Sequence, residues 1–367
     1  MVALRPCLVA PLPCESLGLS GEFPRLEELA SWRKVRVLSE SSSGKVSVMS
    51  CAEGGRLAQD LRELPRCFVA KSLRREAAAG APGRLRRGAG EPHVALFVGR
   101  LHARYIVEVF GVVEDDKRYY IAMENCGRGD LHPYMDRTGA CKDEGRLREV
   151  ATQLLTALQT MHDAGVAHLD VCLENLLVHE DGCLRLADFS EAIFVDDEAS
   201  EAKPYRTPFP GKLHYRPPEA WRDGACSATK QDIFAVGVVL YILLVGEYPF
   251  KSLADLSELF PPGEADSGLC KPLACRLEAR LGKSQTVSPV LVDFLQELLA
   301  PSFEKRPSAE EALRHPWLLG TLDGEWQAME RGEAEAPAGI PDAYQAPDVA
   351  EPASIADASV PKDLSNL

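Results

Sequence analysis

The run His168-Leu169-Asp170-Val171-Cys172-Leu173-Glu174-Asn175-Leu176-Leu177, followed by Leu186-Ala187-Asp188-Phe189-Ser190, decides how the rest of the 367-residue chain is read. In each piece, acid or amide side chains interrupt apolar residues, the pattern of loops that present polar groups from a rigid scaffold. Taken singly, Asp170 and Asn175 read equally well as loop-capping residues, and Asp188-Phe189 after an apolar strand reads as a turn. Taken together, their spacing ties them into one site.

Working outward, the chain before these loops is strand-like. Val35–Leu38, Val46–Ser50, Cys67–Leu73, Ile106–Val113 and Tyr119–Met123 are short β-branched and aromatic runs between polar breaks. Between Arg74 and Glu91 lies an Ala/Gly/Arg stretch with five arginines, expected to be a mobile loop on the sheet edge. After Glu124 the period becomes helical. Leu147–Ala164 sets Val150, Leu154, Leu155, Leu158 and Met161 on one stripe, and further helices are expected over Thr229–Val245, Ser288–Leu299 and Ala309–Arg314, the last stopped at His315-Pro316. The fold class is α+β, a small strand-rich lobe before a larger helical one.

The order of motifs resembles the eukaryotic protein kinases. Asp170 and Asn175 fall in a loop similar to H-R-D-x-x-x-x-N, and Asp188-Phe189-Ser190 is similar to D-F-G. Val69-Ala70-Lys71 sits where the strand lysine belongs, and Met123-Glu124-Asn125-Cys126 where the hinge between lobes belongs. Pro217-Pro218-Glu219 resembles A-P-E, Asp232 with Gly237 resembles the D-x-W-x-x-G region, and Arg306-Pro307 and His315-Pro316-Trp317-Leu318 resemble the domain end. The likeness covers roughly residues 32–319. It divides the chain into an N-terminal extension (1–31), a bilobal kinase domain (32–319, N-lobe about 32–123, C-lobe about 124–319) and an acidic tail (320–367).

That resemblance implies an ATP- and magnesium-dependent transfer of the γ-phosphate to serine or threonine hydroxyls of protein substrates. Phosphoryl transfer needs positioning and charge neutralisation. By resemblance Asp170 accepts the proton of the substrate hydroxyl, Lys71 holds the α- and β-phosphates, and Asp188 and Asn175 offer oxygens to Mg2+. Leu38, Val46 and Val69 would lie above the adenine and Leu177 below, with Gly44 in the loop that covers the phosphates. Backbone groups of the Met123–Cys126 hinge, at Glu124 and Cys126, would meet the adenine edge, and Asp130 the ribose or a basic substrate residue. Glu219 and Arg306 resemble a buried ion pair.

The chain also departs from that pattern. The phosphate-covering loop reads Ser39-Glu40-Ser41-Ser42-Ser43-Gly44-Lys45-Val46, with only the last glycine kept. ATP affinity is expected to be weakened but not lost. The glutamate partner of Lys71 should fall on Val94 or Ala95, while the nearest acid is Glu91; either Glu91 takes the part or Lys71 has no partner there. Leu169 replaces the arginine that would pair with an activation-loop phosphate, so control independent of loop phosphorylation is expected. Cys172 replaces the lysine that contacts the transferred phosphate, and Lys212 is one candidate to compensate. These departures feed a rival reading, a pseudokinase scaffold that binds nucleotide or partner proteins without turnover.

Composition narrows the partners. With 41 basic and 55 acidic residues the net charge is −14, which argues against nucleic acid or an anionic membrane surface. Eleven cysteines without a C-x-x-C pair fit reduced thiols and a cytoplasmic setting. The apolar run Phe234–Gly246 is read as a core helix too short to span a bilayer. Residues 321–367, with ten acidic and two basic residues, read as a disordered tail.

Overall fold

The computed structural model describes residues 23–25, 32–40, 44–51, 64–75, 90–138, 140–141, 143–195, 210–221, 226–250 and 287–320, with isolated positions between 255 and 281. The readings of most of the N-terminal extension, serines 41–43, the 76–89 stretch, the acidic 196–209 loop and the tail lie outside the described residues.

The expected strand runs pair into one antiparallel sheet, in spatial order β1-β2-β3-β5-β4. It comprises β1 (Trp32–Glu40), β2 (Gly44–Cys51), β3 (Cys67–Arg74), β4 (Val109–Glu114) and β5 (Arg118–Met123). Helix α1 (Glu91–Gly99) crosses the sheet and buries Val94, Ala95 and Val98 against it. Gly44 stands where only a glycine fits, because a Cβ there would meet the Ser72 carbonyl oxygen at 1.9 Å. At the free edge of β4, the Glu114 N–H donates to the Pro24 carbonyl at 3.0 Å, which covers part of an otherwise open edge.

The second lobe is helical: α2 (Leu131–Thr138), α3 (Glu144–Asp163), α4 (Ala228–Val245), α5 (Pro289–Leu298), α6 (Ala309–Leu313) and α7 (Pro316–Leu319). Asp143 caps α3 by accepting the Gly145 N–H, and its buried stripe is Leu147, Ala151, Leu154, Leu155, Leu158 and Met161. Val150, expected on that stripe, is only half-buried. Ser308 and Glu311 form a capping box that starts α6. The apolar run near 240 belongs to α4, whose 18 residues are long and apolar enough to cross a bilayer. Yet 83% of α4 is buried inside this protein, so it is the central helix of the lobe.

Short strands β6 (Val166–Ala167), β7 (Leu176–Val178), β8 (Leu184–Leu186) and β9 (Ile193–Phe194) lie on the face of the helical lobe that meets the sheet. The Val107 N–H donates to Leu186 O at 2.9 Å and the Leu186 N–H to Tyr105 O at 2.8 Å. These two bonds stitch the β8 edge to the segment leading into β4 and fix the cleft between the lobes.

Candidate active site

Strand register decides what faces the cleft. Val46 lies opposite Lys71, Val48 opposite Val69, and Val69 opposite Met123. Directly opposed residues share a face, as do residues two apart along a strand. One side of the small sheet therefore carries Val46, Val69, Lys71 and Met123 together. Val69 is buried, Val46 and Met123 are half-buried, and Leu38 on β1 is 46% exposed.

The Lys71 ammonium lies 2.6 Å from Glu91 Oε1 and 2.7 Å from Asp188 Oδ1. This settles the partner left open by the sequence. Val94 and Ala95 are fully buried on the sheet-facing side of α1, while Glu91 is the first residue of the helix. There the positive end of the helix favours its charge. Burial disfavours the ammonium, but the two carboxylates outweigh it and raise the Lys71 pKa above the ordinary value. Burial raises the Glu91 pKa, only partly offset by Lys71. Burial also opposes charge on Asp188, yet Lys71 and Ser190 prevail and lower its pKa.

Below, the β7–β8 hairpin delivers the other groups. Asn175 immediately precedes β7, Asp188 follows β8, and the Ala187 N–H donates to Asn175 O at 2.9 Å. Asn175 Nδ2 donates to the Asp170 carbonyl and to Asp170 Oδ2, both at 2.8 Å. Burial raises the Asp170 pKa, moderated by His168, Asn175 and Lys212. Because its amide nitrogen is committed to Asp170, Asn175 turns its oxygen the other way. That oxygen and the Asp188 carboxylate are hard donors of the kind a divalent cation such as Mg2+ takes, so the residues present fit one.

Two residues here hold left-handed backbone without being glycine: Leu169 (φ 64°) and Asp188 (φ 68°). Such conformations cost about 1–3 kcal/mol each and persist only where neighbours over-determine them. At Leu169 the determinant is Asp232, from the second turn of α4. Its carboxylate accepts the N–H groups of His168 (2.8 Å) and Leu169 (2.7 Å) and lies 2.9 Å from His162 Nε2. In sequence Asp232 was legible only as part of a motif; an acid entering a long apolar helix was the signal for a structural anchor.

Leu169 is 2% exposed and packs on Ala167 and Ala228, with Ile193 and Val195 alongside. The position of the missing arginine is thus an apolar contact. Cys172 is buried, and burial, reinforced by the Asp170 charge, pushes its thiol up to about 12. Lys212 Nζ lies 3.2 Å from Cys172 Sγ and 3.0 Å from Glu174 Oε1, and the Lys212 N–H donates to Asp170 Oδ1 at 3.2 Å. Gly211 (φ 78°) makes this approach possible, since a Cβ would meet the Leu169 carbonyl oxygen at 2.3 Å.

At the connection between lobes, the Glu124 N–H donates to Glu108 O at 2.9 Å, leaving the Glu124 carbonyl as the group that can face a purine. Its side chain points to the rear, accepting the Glu108 N–H (2.8 Å) and meeting Arg185 Nε (3.2 Å). Burial, then Glu124, pushes the Cys126 thiol up to about 12, which keeps it protonated and unreactive. Asp130 caps α2 through the His132 N–H at 3.0 Å and bridges to Leu177. At the cleft rim Glu40 pairs with Lys45 at 2.7 Å rather than standing as a bare charge. Far from the cleft, Arg306 and Glu219 form a two-pronged pair with both contacts at 2.6 Å. Asp293, Glu297 and His315 bring three ligand-type atoms together elsewhere in the helical lobe, with His315 Nε2 3.1 Å from Asp293 Oδ2.

A five-stranded sheet over a helical lobe, with a lysine, three carboxylates and an amide gathered at their junction, is the bilobal kinase fold. A protein kinase domain model matches residues 94–318, and the chain belongs to the protein kinase family. It is 30% identical over 223 residues to an Aurora kinase of Schizosaccharomyces pombe, covering 61% of this chain and 57% of the relative. It is 29% identical over 223 residues to CDPK-related kinase 1 of Arabidopsis thaliana, covering 59% of this chain and 35% of the relative. It is 30% identical over 225 residues to the serine/threonine-protein kinase cds1 of Schizosaccharomyces pombe, covering 59% and 45%. The chain thus spans between about a third and just over half of these relatives' lengths.

Proposed function

We propose that this chain is an active, slow protein kinase that uses ATP and Mg2+ to phosphorylate serine and threonine residues of proteins in the cytoplasm, through a domain spanning about 32–319. The observation that carries this reading is the Lys71 ammonium held between Glu91 and Asp188, with Asp170 and Asn175 on the adjoining loop. Lys71 is a point charge aimed into the cleft, suited to the α- and β-phosphates. Val46, Val69 and Met123 give the purine an apolar roof and Leu177 a floor, and the Glu124 carbonyl and Cys126 backbone supply its polar edge. Asn175 and Asp188 would hold the magnesium, which when bound neutralises charge on the phosphates. Asp170 takes the proton of the attacking hydroxyl, and its raised pKa brings it closer to the operating pH of a general base.

Lys212 stands at the substrate side of Asp170, where it can supply part of the charge lost with Cys172. The test is transfer of label from γ-labelled ATP, with magnesium, to a mixed serine/threonine peptide pool, beside Asp170→Asn. Transfer that falls on the order of 10²–10⁴-fold in the variant supports the reading. The rival is the pseudokinase scaffold, favoured by Leu169 and Cys172 in place of cations. Tight nucleotide binding with no transfer by the wild type would establish it instead.

A further inference from the structure

Phe23-Pro24-Arg25 lies upstream of β1 and outside the five-stranded sheet, yet it is fastened to that sheet. The Pro24 carbonyl accepts the Glu114 N–H at 3.0 Å, Arg25 makes a parallel bridge with Glu114, and Arg25 Nη1 lies 2.8 Å from Asp116 Oδ1. The anchoring delivers one side chain. Phe23 is 9% exposed, its ring centre 4.9 Å from the His93 imidazole and 5.6 Å, edge-on, from the Tyr119 ring.

His93 sits in the first turn of α1, two residues after Glu91. A helix of nine residues is too short to hold its shape in water without tertiary packing. Where its first turn lies is therefore set by what packs on that turn. Val94, Ala95 and Val98 fix the inner face of α1. On His93 the buried Nδ1 has no hydrogen-bond partner among the described residues, so ring packing, with Phe23 as an aromatic neighbour, positions it. Glu91 in turn is a buried carboxylate whose charge depends on reaching Lys71, at 2.6 Å. Small movements of that turn separate the pair.

We propose that Phe23 is a positioning residue of the active site: packed on His93, it holds the first turn of α1 so that Glu91 reaches Lys71. The catalytic consequence rests on the phosphoryl-transfer reading above; the structural one does not. The segment before β1 thereby becomes part of the machinery, and whatever moves it controls the Lys71–Glu91 contact.

The experiment uses the full chain with Phe23→Ala, Phe23→Leu, and each combined with Glu91→Gln. Phe23→Ala should raise backbone hydrogen exchange selectively over residues 91–99 and lower kcat/KM for ATP about tenfold, with Phe23→Leu restoring most of both. In the Glu91→Gln background Phe23→Ala should add little further loss, because the contact has no carboxylate left to position. Unchanged exchange over 91–99 overturns the proposal. So does a fully additive loss in the double variant, or exchange that rises equally across both lobes, which marks a general loss of stability. A wild type that transfers no phosphate sinks the kinase reading alone, since the exchange data still decide for or against Phe23.

Discussion

Two ionic assemblies, Arg306–Glu219 and the Lys71 cluster, have nearly equal contact distances and opposite design. At the base of the helical lobe, Arg306 is fully enclosed and every arm of its guanidinium is used. Nε donates to Ala300 O, Nη1 to Glu219 and Lys230 O, Nη2 to Glu219 and Pro301 O, and Phe234 lies 4.9 Å beneath. In the cleft, Lys71 is 14% exposed, Asp188 38%, and the acids come from two different elements. The first pair has nothing left to offer a ligand. The second is a charge cluster with a face toward the gap between lobes, able to exchange protein contacts for phosphate and metal. Closeness of charges therefore does not identify function; residual exposure and the independence of the supporting elements do.

That contrast can be broken by mutation. Arg306→Leu strands Glu219 without its cation and should destabilise the fold by about 3–5 kcal/mol, read as a lowered urea midpoint. A loss below ~1 kcal/mol would erase the distinction. Lys71→Met should instead cut phosphoryl transfer on the order of 10²–10³-fold, a magnitude typical of removing one preorganised charge-stabilising group. Its effect on stability should depend on pH. Glu91 already has a raised pKa and, without Lys71, regains neutrality by taking a proton. The variant is then closest to wild-type stability in acid and loses ground as pH rises through the Glu91 pKa. Urea melts at two pH values test the sign.

The smallest expected effect sharpens the substrate side of the cleft. Lys212→Met should lower kcat about tenfold with KM for ATP nearly unchanged, a general electrostatic loss of ~1.4 kcal/mol in the transition state. Because Lys212 lowers the Asp170 pKa, its removal should also move the acid limb of the pH–rate profile upward. A profile that stays in place would show that Lys212 only braces Cys172 and Glu174.

The family model matches residues 94–318, so Lys71 and Glu91 lie before the stretch it matches, while Asp170, Asn175 and Asp188 lie within it. Lys71 was nevertheless legible, because Val69-Ala70-Lys71 resembles the strand-lysine segment of the kinases, and so were Asp170, Asn175 and Asp188, whose spacing resembles that of the family's two loops. Glu91 was not. The count from Ile106-Val107 landed on Val94 and Ala95, and periodicity says which residues of a helix face inward but not where the helix starts. Phe23 was missed because a phenylalanine in a proline-rich lead-in carries no period at all.

What the sequence determined by itself was local: strand and helix periods and the order of polar loops along the chain. Tertiary structure decided which distant groups meet. Lys71 with Glu91 and Asp188, Asp232 beneath the His168–Leu169 backbone, Lys212 beside Cys172, and Phe23 on His93 all join segments separated by intervening chain. Such pairings depend on register and packing summed over whole lobes. No window of residues contains that information, whereas helix and strand patterns repeat within a few positions and can be read there.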